Sequence, residues 1–397
     1  MKKHLSQLAL LLFLAQSLFA AVPVDPNALP CAGPGFKLLC ENQLVKPSDS
    51  VTPGLGPRFS FKSDDKTSKR DLSKMDELRM LAFNTMNLQE SVGRFEIDPK
   101  TGEKKFIPGR IIKPESEVLG VCEAIKRANP DMAVLTEVES IHALDAVNRK
   151  CLEEQYFLIL IEGNDDRGID VSFLVKKDLP FDMVIQSQKL VHTQYLGKDT
   201  IAFSRDFPVL EIRMKGADPK STPLMILAGT HLKSQRDSGK KDPGSREKRR
   251  VQVETMTQIL KGYESRYKTP VPFFTMGDFN GDLQDAPEFK GMSQSGYVDS
   301  FNAAKIPVGD PRRTSHVFFD GSGKRDDSQL DGIFISQKLA DCLGLKSIEA
   351  LPYLDKQGKP KPLPKNHDER DQNPSDHYPL LGIFDFSKIL NYAKECF

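Results

Sequence analysis

Pro270-Val271-Pro272-Phe273-Phe274-Thr275-Met276-Gly277-Asp278-Phe279-Asn280-Gly281-Asp282 joins an apolar run to a polar, glycine-flanked ending. The run reads as a buried strand. A strand that delivers Gly-Asp-x-Asn at its end sets a carboxylate and a carboxamide on one side, two residues apart. Gly277 and Gly281 let the backbone bend away and leave that end open. Asp, Asn and Gly are also ordinary turn residues. On this stretch alone a plain turn and an acidic-plus-amide site are both open, and the endings of the other strands have to decide.

Working outward, Leu78-Arg79-Met80-Leu81-Ala82-Phe83-Asn84 is a strand-like run ending in Asn84 and Asn87. Residues Glu115 to Asn129 carry Val118, Val121, Cys122 and Ile125 at i, i+3, i+4, i+7, an amphipathic helix closed by Asn129-Pro130. A second strand from Asp131 ends in the carboxylate of Glu137. Further strands are expected at Phe157–Ile161, Ile169–Val175, Val209–Met214, Leu224–Gly229, Leu330–Ser336 and Tyr378–Phe386, with a helix from Ser245 to Tyr263. Strands and helices mixed in this way predict stacked sheets covered by helices, an α/β (α+β) sandwich.

The chain has 397 residues, 39% hydrophobic and 28% charged, with a formal net charge of +1. That is enough for one large domain or two ordinary ones. The near-neutral balance excludes bulk electrostatic capture of nucleic acid, so any such binding has to be local. Lys2 and Lys3 precede the apolar run from Leu8 to Ala21, which is shorter than the roughly 20 apolar residues of a membrane span. This reads as a secretory signal peptide over 1–21, hence a secreted or periplasmic protein without a transmembrane segment. Residues 22–75, rich in Pro, Gly, Ser and charge, read as an irregular lead-in, and 76–390 as the main domain. Six cysteines fit an oxidising compartment, and sequence proximity pairs them as Cys31–Cys40, Cys122–Cys151 and Cys342–Cys396.

Other strands end with chemistry too. His231 follows Ala228-Gly229-Thr230, Asp331 sits in Gln329-Leu330-Asp331-Gly332, and Ser375-Asp376-His377 leads into the last strand. If these edges converge, oxygen donors with few imidazoles suit a hard cation such as Mg²⁺ or Mn²⁺, with Ca²⁺ a further candidate. An imidazole beside a carboxylate suits general base work. The inventory points to metal-assisted hydrolysis of a phosphoester.

The ordered set Phe83-Asn84, Leu135-Thr136-Glu137, Gly229-Thr230-His231, Gly277-Asp278-Phe279-Asn280, Leu330-Asp331-Gly332 and Ser375-Asp376-His377 resembles the endonuclease/exonuclease/phosphatase superfamily, from about Leu78 to Phe386. The resemblance implies a DNase I-like four-layered sandwich, two packed β-sheets flanked by helices, with a divalent metal at one end. It implies metal ligation by Glu137, with Asn84 beside it and Asp376 completing the site. It implies that His377, held by Asp331, activates or orients the attacking water, that Asp278 helps align or deprotonate the nucleophile, and that Asn280 and His231 donate to phosphoryl oxygens. Arg205 matches a phosphate-contacting position, Arg167 is a second substrate-binding candidate, and Met86 stands where family members often carry an acidic residue. His142, His192, His316 and His367 lack such context and read as structural. The basic run Arg246-Glu247-Lys248-Arg249-Arg250 is read first as a solvated helical turn and second as a phosphate grip. The substrate expected is nucleic acid, with a sphingomyelinase-like or inositol-lipid phosphoesterase as the alternative and an inactive binding module as a third reading.

Overall fold

Phe273 and Phe274 face opposite ways, as neighbours on a strand must. Phe273 joins an apolar cluster with Val253, Met256 and Leu260 of a long helix. Phe274 meets Phe384 of a second sheet edge to face, centroids 5.1 Å apart. One strand therefore connects a helical layer, its own sheet and the sheet behind it.

The computed structural model describes residues 56–89, 113–237 and 239–397, with the backbone of a hairpin pairing Arg94–Ile97 and Lys104–Ile107. The signal peptide reading and the Cys31–Cys40 pairing lie outside the described residues. In chain order the strands of the two large sheets are β1 (Arg58–Phe61), β2 (Glu77–Leu88), β3 (Met132–Val138), β4 (Tyr156–Leu160), β5 (Asp170–Lys176), β6 (Phe181–Gln186), β7 (Val209–Met214), β8 (Met225–His231), β9 (Phe273–Asp278), β10 (Tyr297–Asp299), β11 (Asp331–Ser336), β12 (Leu345–Ala350) and β13 (Leu380–Asp385). One sheet has seven strands in the order β1-β6-β7-β8-β9-β11-β10, the other six in the order β12-β13-β2-β3-β5-β4. Most pairs are antiparallel, but β8–β9 and β2–β3 at the two sheet centres are parallel.

Helices cover both outer faces. On the six-stranded sheet lie α1 (Glu115–Ala128) and α2 (Ile141–Cys151), packed over Leu81, Phe83, Ala133 and Leu135. Asn129 closes α1 in the left-handed conformation at φ 44°, as the Asn-Pro ending predicts. The Cys122–Cys151 disulfide ties α1 to α2, closing a 29-residue separation, a cross-link on the order of 3–4 kcal/mol. Cys342–Cys396 anchors the C-terminus. On the seven-stranded sheet lies α3 (Arg246–Arg266). Its basic first turn is offset by Asp242, whose carboxylate accepts from the amides of Glu247 and Lys248 at 2.9 and 2.8 Å.

Two expectations need correction. The segment 22–75, read as irregular, supplies β1, which pairs antiparallel with β6 as an edge strand. Its short run Arg58-Phe59-Ser60-Phe61 between prolines and charges was too brief to show period two. The strand at Leu78–Asn84 does not stop at Asn84 but continues to Leu88 through a register shift, with Met86 and Asn87 at positive φ (49° and 57°).

Between the sheets, Gly229 on β8 lets them approach. A Cβ there would stand 2.6 Å from Val171 of the opposite sheet, closer than side chains pack.

Candidate active site

The inter-sheet seam changes from apolar to polar at one end. On β9, Phe274 meets the opposing sheet, and period two then turns Met276 and Asp278 the same way. On β2, Leu81 and Phe83 pack on the helices, which turns Met80, Ala82 and Asn84 inward. The two rows end in a bond between sheets, Asn84 Nδ2 donating to Asp278 Oδ2 at 2.9 Å.

Register builds the rest of the row. His231 stands beside Asp278 across the parallel β8–β9 pair, and Asp331 opposite Asp278 across β9–β11. Three adjacent strands thus place an imidazole and two carboxylates side by side on one face. Gly277 makes the row possible. At φ 136°, with a would-be Cβ 2.0 Å from the Thr230 carbonyl, the position admits only glycine. Asn280, at φ 55°, turns back so that its amide and Nδ2 both bind Asp278, at 2.7 and 3.0 Å, while Nδ2 also reaches the Leu232 carbonyl. Asn280 is thereby engaged in orienting Asp278.

Glu137 is placed by a break in the alternation. It sits at φ 61° inside a register shift between Thr136 and Val138, a bulge that re-aims its side chain toward the strand end. Its Oε2 accepts the Asn87 amide at 3.0 Å, and Oε1 lies 3.9 Å from His231 Nε2. The loop before β13 is tied to the same place by Ser375 Oγ, which donates to the Asn84 carbonyl at 2.9 Å and accepts the His377 amide. His377 Nδ1 then pairs with Asp331 Oδ2 at 2.7 Å, leaving Nε2 toward Asp278 and Asp376, 3.9 and 4.0 Å away. Asn84, His231, Asp278, Asp331 and His377 are buried, whereas Glu137 and Asp376 are half-buried at the mouth.

The charges are strongly coupled. Burial raises the Glu137 carboxyl above its ordinary range, against the pull of His377 and Asn84, with Asp376 and Asp278 adding to the rise. Burial likewise raises Asp278. Burial alone would lower His377, but Asp331 and Asp278 outweigh it and hold the imidazole well above its usual value. His231 goes the other way, driven well below the usual range by burial and then by Arg205 and His377, so it stays neutral. Asp376 is held low, where His316 and His377 overcome the effect of burial.

Glu137 lies in the field of the Asp376 and Asp278 carboxylates, which disfavour its charge, and Asn84 adds a neutral carboxamide oxygen. That donor chemistry fits a hard divalent cation. Asp331 Oδ1 and His231 Nδ1 are buried polar atoms without a hydrogen-bond partner.

All ten sequence-predicted positions fall in or beside this end of the sandwich, but their exposure differs. Arg205 is buried, bound to Asp165 at 3.0 Å and to the Leu232 carbonyl at 2.8 Å, so it braces the His231 strand end from within. Arg167 is the more exposed of the two arginines, also paired with Asp165 and within the field of Glu137. The basic run at the start of α3 is mostly committed. Arg249 is buried on Glu288, and Arg250 is paired with Glu247 and Glu254.

Sequence reasoning missed two residues. Lys113 is buried, with Nζ on the Met86 carbonyl and Glu117 and within the field of Asp376 and Glu137. It lies in a stretch without periodicity, and no sequence signal marks it. His316, read as structural, packs tilted against His377, with centroids 4.6 Å apart and ring planes at 52°. Its position in Thr314-Ser315-His316, shortly before Leu330-Asp331, was the available signal.

Two sheets of seven and six strands with helices on both outer faces make a DNase I-like α/β sandwich. No protein-family model matches the chain, and no curated protein sequence matches it. Among solved structures, the chain is similar to the human Nocturnin catalytic domain with bound sulfate anion, at 17% identity and TM-score 0.49 over 78% of this chain and 96% of that one. It is similar to an endonuclease/exonuclease/phosphatase family protein from Bacteroides thetaiotaomicron, at 15% identity and TM-score 0.48 over 78% and 96%. It is also similar to truncated TDP2 from Caenorhabditis elegans, at 16% identity and TM-score 0.46 over 78% and 98%.

Proposed function

We propose that this protein is a divalent-metal-dependent phosphodiesterase acting on nucleic acid, DNA foremost, in an exported compartment. The observation that carries the reading is the His377–Asp331 pair set in one row with Asp278 and His231, facing Asn84 and opening on Glu137 and Asp376.

In this reading Asp331 fixes the His377 tautomer, leaving Nε2 to take a proton from water. As that proton leaves, the water oxygen bonds to phosphorus, the P–O bond to the leaving alcohol breaks, and the departing oxygen takes a proton from solvent. Asp278, held by Asn84 and Asn280, lies 3.9 Å from Nε2 and aligns the water. Neutral His231 donates a hydrogen bond to a phosphoryl oxygen without adding charge to the buried row. Glu137 and Asp376, with Asn84, would hold Mg²⁺ or Mn²⁺. That ion would supply charge neutralisation at the phosphoryl oxygens and offset the carboxylate field that keeps His377 protonated. Arg167, with Lys113 and Arg205 behind it, gives the acidic mouth a cationic border suited to a phosphate.

Nucleic acid is favoured over a small phosphoester by Phe318, an exposed ring stacked on His316 at 6.4 Å and 13°, which in turn packs against His377 with the ring planes at 52°. A flat aromatic surface beside the reacting centre suits a base. The disulfides Cys122–Cys151 and Cys342–Cys396 support export. A lipid phosphodiester is the second reading, favoured by exposed Leu190, Leu196 and Ile201 on and beside the hairpin His192–Tyr195/Lys198–Ile201, just ahead of Arg205.

The test offers plasmid DNA, RNA and sphingomyelin in parallel to the purified protein with Mg²⁺ or EDTA. Metal-dependent cleavage of nucleic acid is expected. Cleavage of the lipid alone overturns the nuclease reading, and no metal-dependent cleavage leaves a binding module.

A further inference from the structure

The antiparallel hairpin pairing His316–Phe319 with Arg325–Ser328 leans against the Ser375-Asp376-His377 loop. Val317 donates to the Asp376 carbonyl at 3.3 Å and Tyr378 to the Ser315 carbonyl at 2.7 Å, so His316 and His377 stand directly opposite each other. Each imidazole is oriented through Nδ1, His316 facing Ser328 Oγ at 3.4 Å and His377 facing Asp331 at 2.7 Å. Both Nε2 atoms are left toward one carboxylate, His316 at 3.8 Å from Asp376 Oδ2 and His377 at 4.0 Å from Asp376 Oδ1. The three donor atoms all lie within 4.8 Å of one another.

We propose that His316, Asp376 and His377 form a transition-metal site, with Zn²⁺ as its ion, and that filling it switches off the chemistry assigned to His377. The inhibitory half rests on the hydrolase reading above, while the binding half stands on geometry alone. Two imidazoles and one carboxylate with an open fourth position are a zinc-type ligand set, distinct in kind from the all-oxygen set at Glu137. Ligands about 2.1 Å from a tetrahedral ion stand roughly 3.4 Å apart. Donor atoms within 4.8 Å of one another therefore close on an ion by movement of Asp376, whose side chain is 30% exposed and gives the ion a way in. Nδ1 hydrogen bonds on both rings are the outer-shell support that ligating histidines use. A Zn²⁺ bound there takes His377 Nε2, the nitrogen that must accept the proton of water, and takes Asp376 away from the oxygen-donor set.

The full-length protein is titrated with Zn²⁺ against a chromophoric chelator, beside His316→Gln and His316→Asn, with thermal melts confirming that the variants fold. Wild type is expected to take up one ion and both variants to bind at least tenfold more weakly. Co²⁺ should give visible bands of a four-coordinate ion in wild type alone. Equal Zn²⁺ affinity in all three proteins, or no stoichiometric uptake, overturns the site. In Mg²⁺ buffer, micromolar Zn²⁺ should inhibit wild-type DNA cleavage, and His316→Gln, scored against its own Zn²⁺-free rate, should need at least tenfold more Zn²⁺ for the same fractional loss. Equal inhibition of both overturns the switch. A protein that binds Zn²⁺ through His316 yet cleaves no substrate supports the site and overturns the hydrolase reading instead.

Discussion

Asn84 and Asp278 are 194 residues apart in sequence and meet at 2.9 Å, one on each sheet, as a polar pair that continues the apolar rows of Met80, Ala82, Phe274 and Met276 on β2 and β9. Asn84 Oδ1 at the same time accepts the Met86 amide at 2.9 Å, fixing the turn of the bulge. Asn84→Ala removes the donor and leaves a buried carboxylate short of a partner, a cost on the order of 1–3 kcal/mol. Turnover should fall by roughly a hundredfold or more as Asp278 loses its aim. A melt and a plasmid-cleavage assay on the same preparation check both; unchanged turnover would show that the bond is only structural.

The His377–Asp331 pair can be separated into chemistry and orientation. His377→Ala removes the proton acceptor and should lower kcat by roughly 10²–10⁴ with little change in KM. Asp331→Asn keeps the shape but no longer holds the imidazole as an acceptor at Nε2, so it should approach the same loss and move the pH profile as well. Full activity in both variants at every pH would remove His377 from the mechanism.

Metal binding has a readout independent of turnover. If Glu137 is a ligand, Mg²⁺ at a hundredfold above its Kd raises wild-type stability by about 2.7 kcal/mol, and Glu137→Gln should lose most of that gain. Differential scanning fluorimetry with Mg²⁺ and with EDTA measures it. Identical shifts in the two proteins would place the ion elsewhere.

The sequence made the order of strands and their terminal residues readable, because period two and the 3.6-residue period are local properties. Val209–Met214 is a strand with the bounds expected, and α1 ends on Asn129 as its Asn-Pro signal predicts. The Cys122–Cys151 and Cys342–Cys396 pairings also follow from proximity. What stayed hidden depends on backbone breaks and on long-range contact. The bulge that re-aims Glu137 and the one that carries β2 past Asn84 are set by neighbouring strands, and no residue preference announces them. His316 was passed over because its partner His377 lies 61 residues on and meets it only through an isolated bridge. Arg249 read as part of a solvated turn, since nothing local shows that Glu288 waits for it in the interior.

Asp206 supplies a test of electrostatics away from the reacting groups. It is fully buried at φ 68°, with Oδ1 accepting the amides of Gln188 and Phe207 at 2.7 and 2.6 Å, while Oδ2 has no partner. Burial pushes its carboxyl up to about 6, although Ser187 and the two amides favour the charged form. An acid raised in the folded state stabilises the protein fully below its unfolded value near 4, and that contribution is lost as pH rises through about 6. Asparagine keeps the two amide bonds and tolerates the left-handed backbone. Asp206→Asn should therefore match wild type at pH 4 and exceed its stability above pH 6, by on the order of 3 kcal/mol at most. Urea unfolding across pH 4–8 reads the difference. A wild-type advantage at pH 7 would mean that the ionised carboxylate is stabilised by the fold and that burial is not the dominant effect.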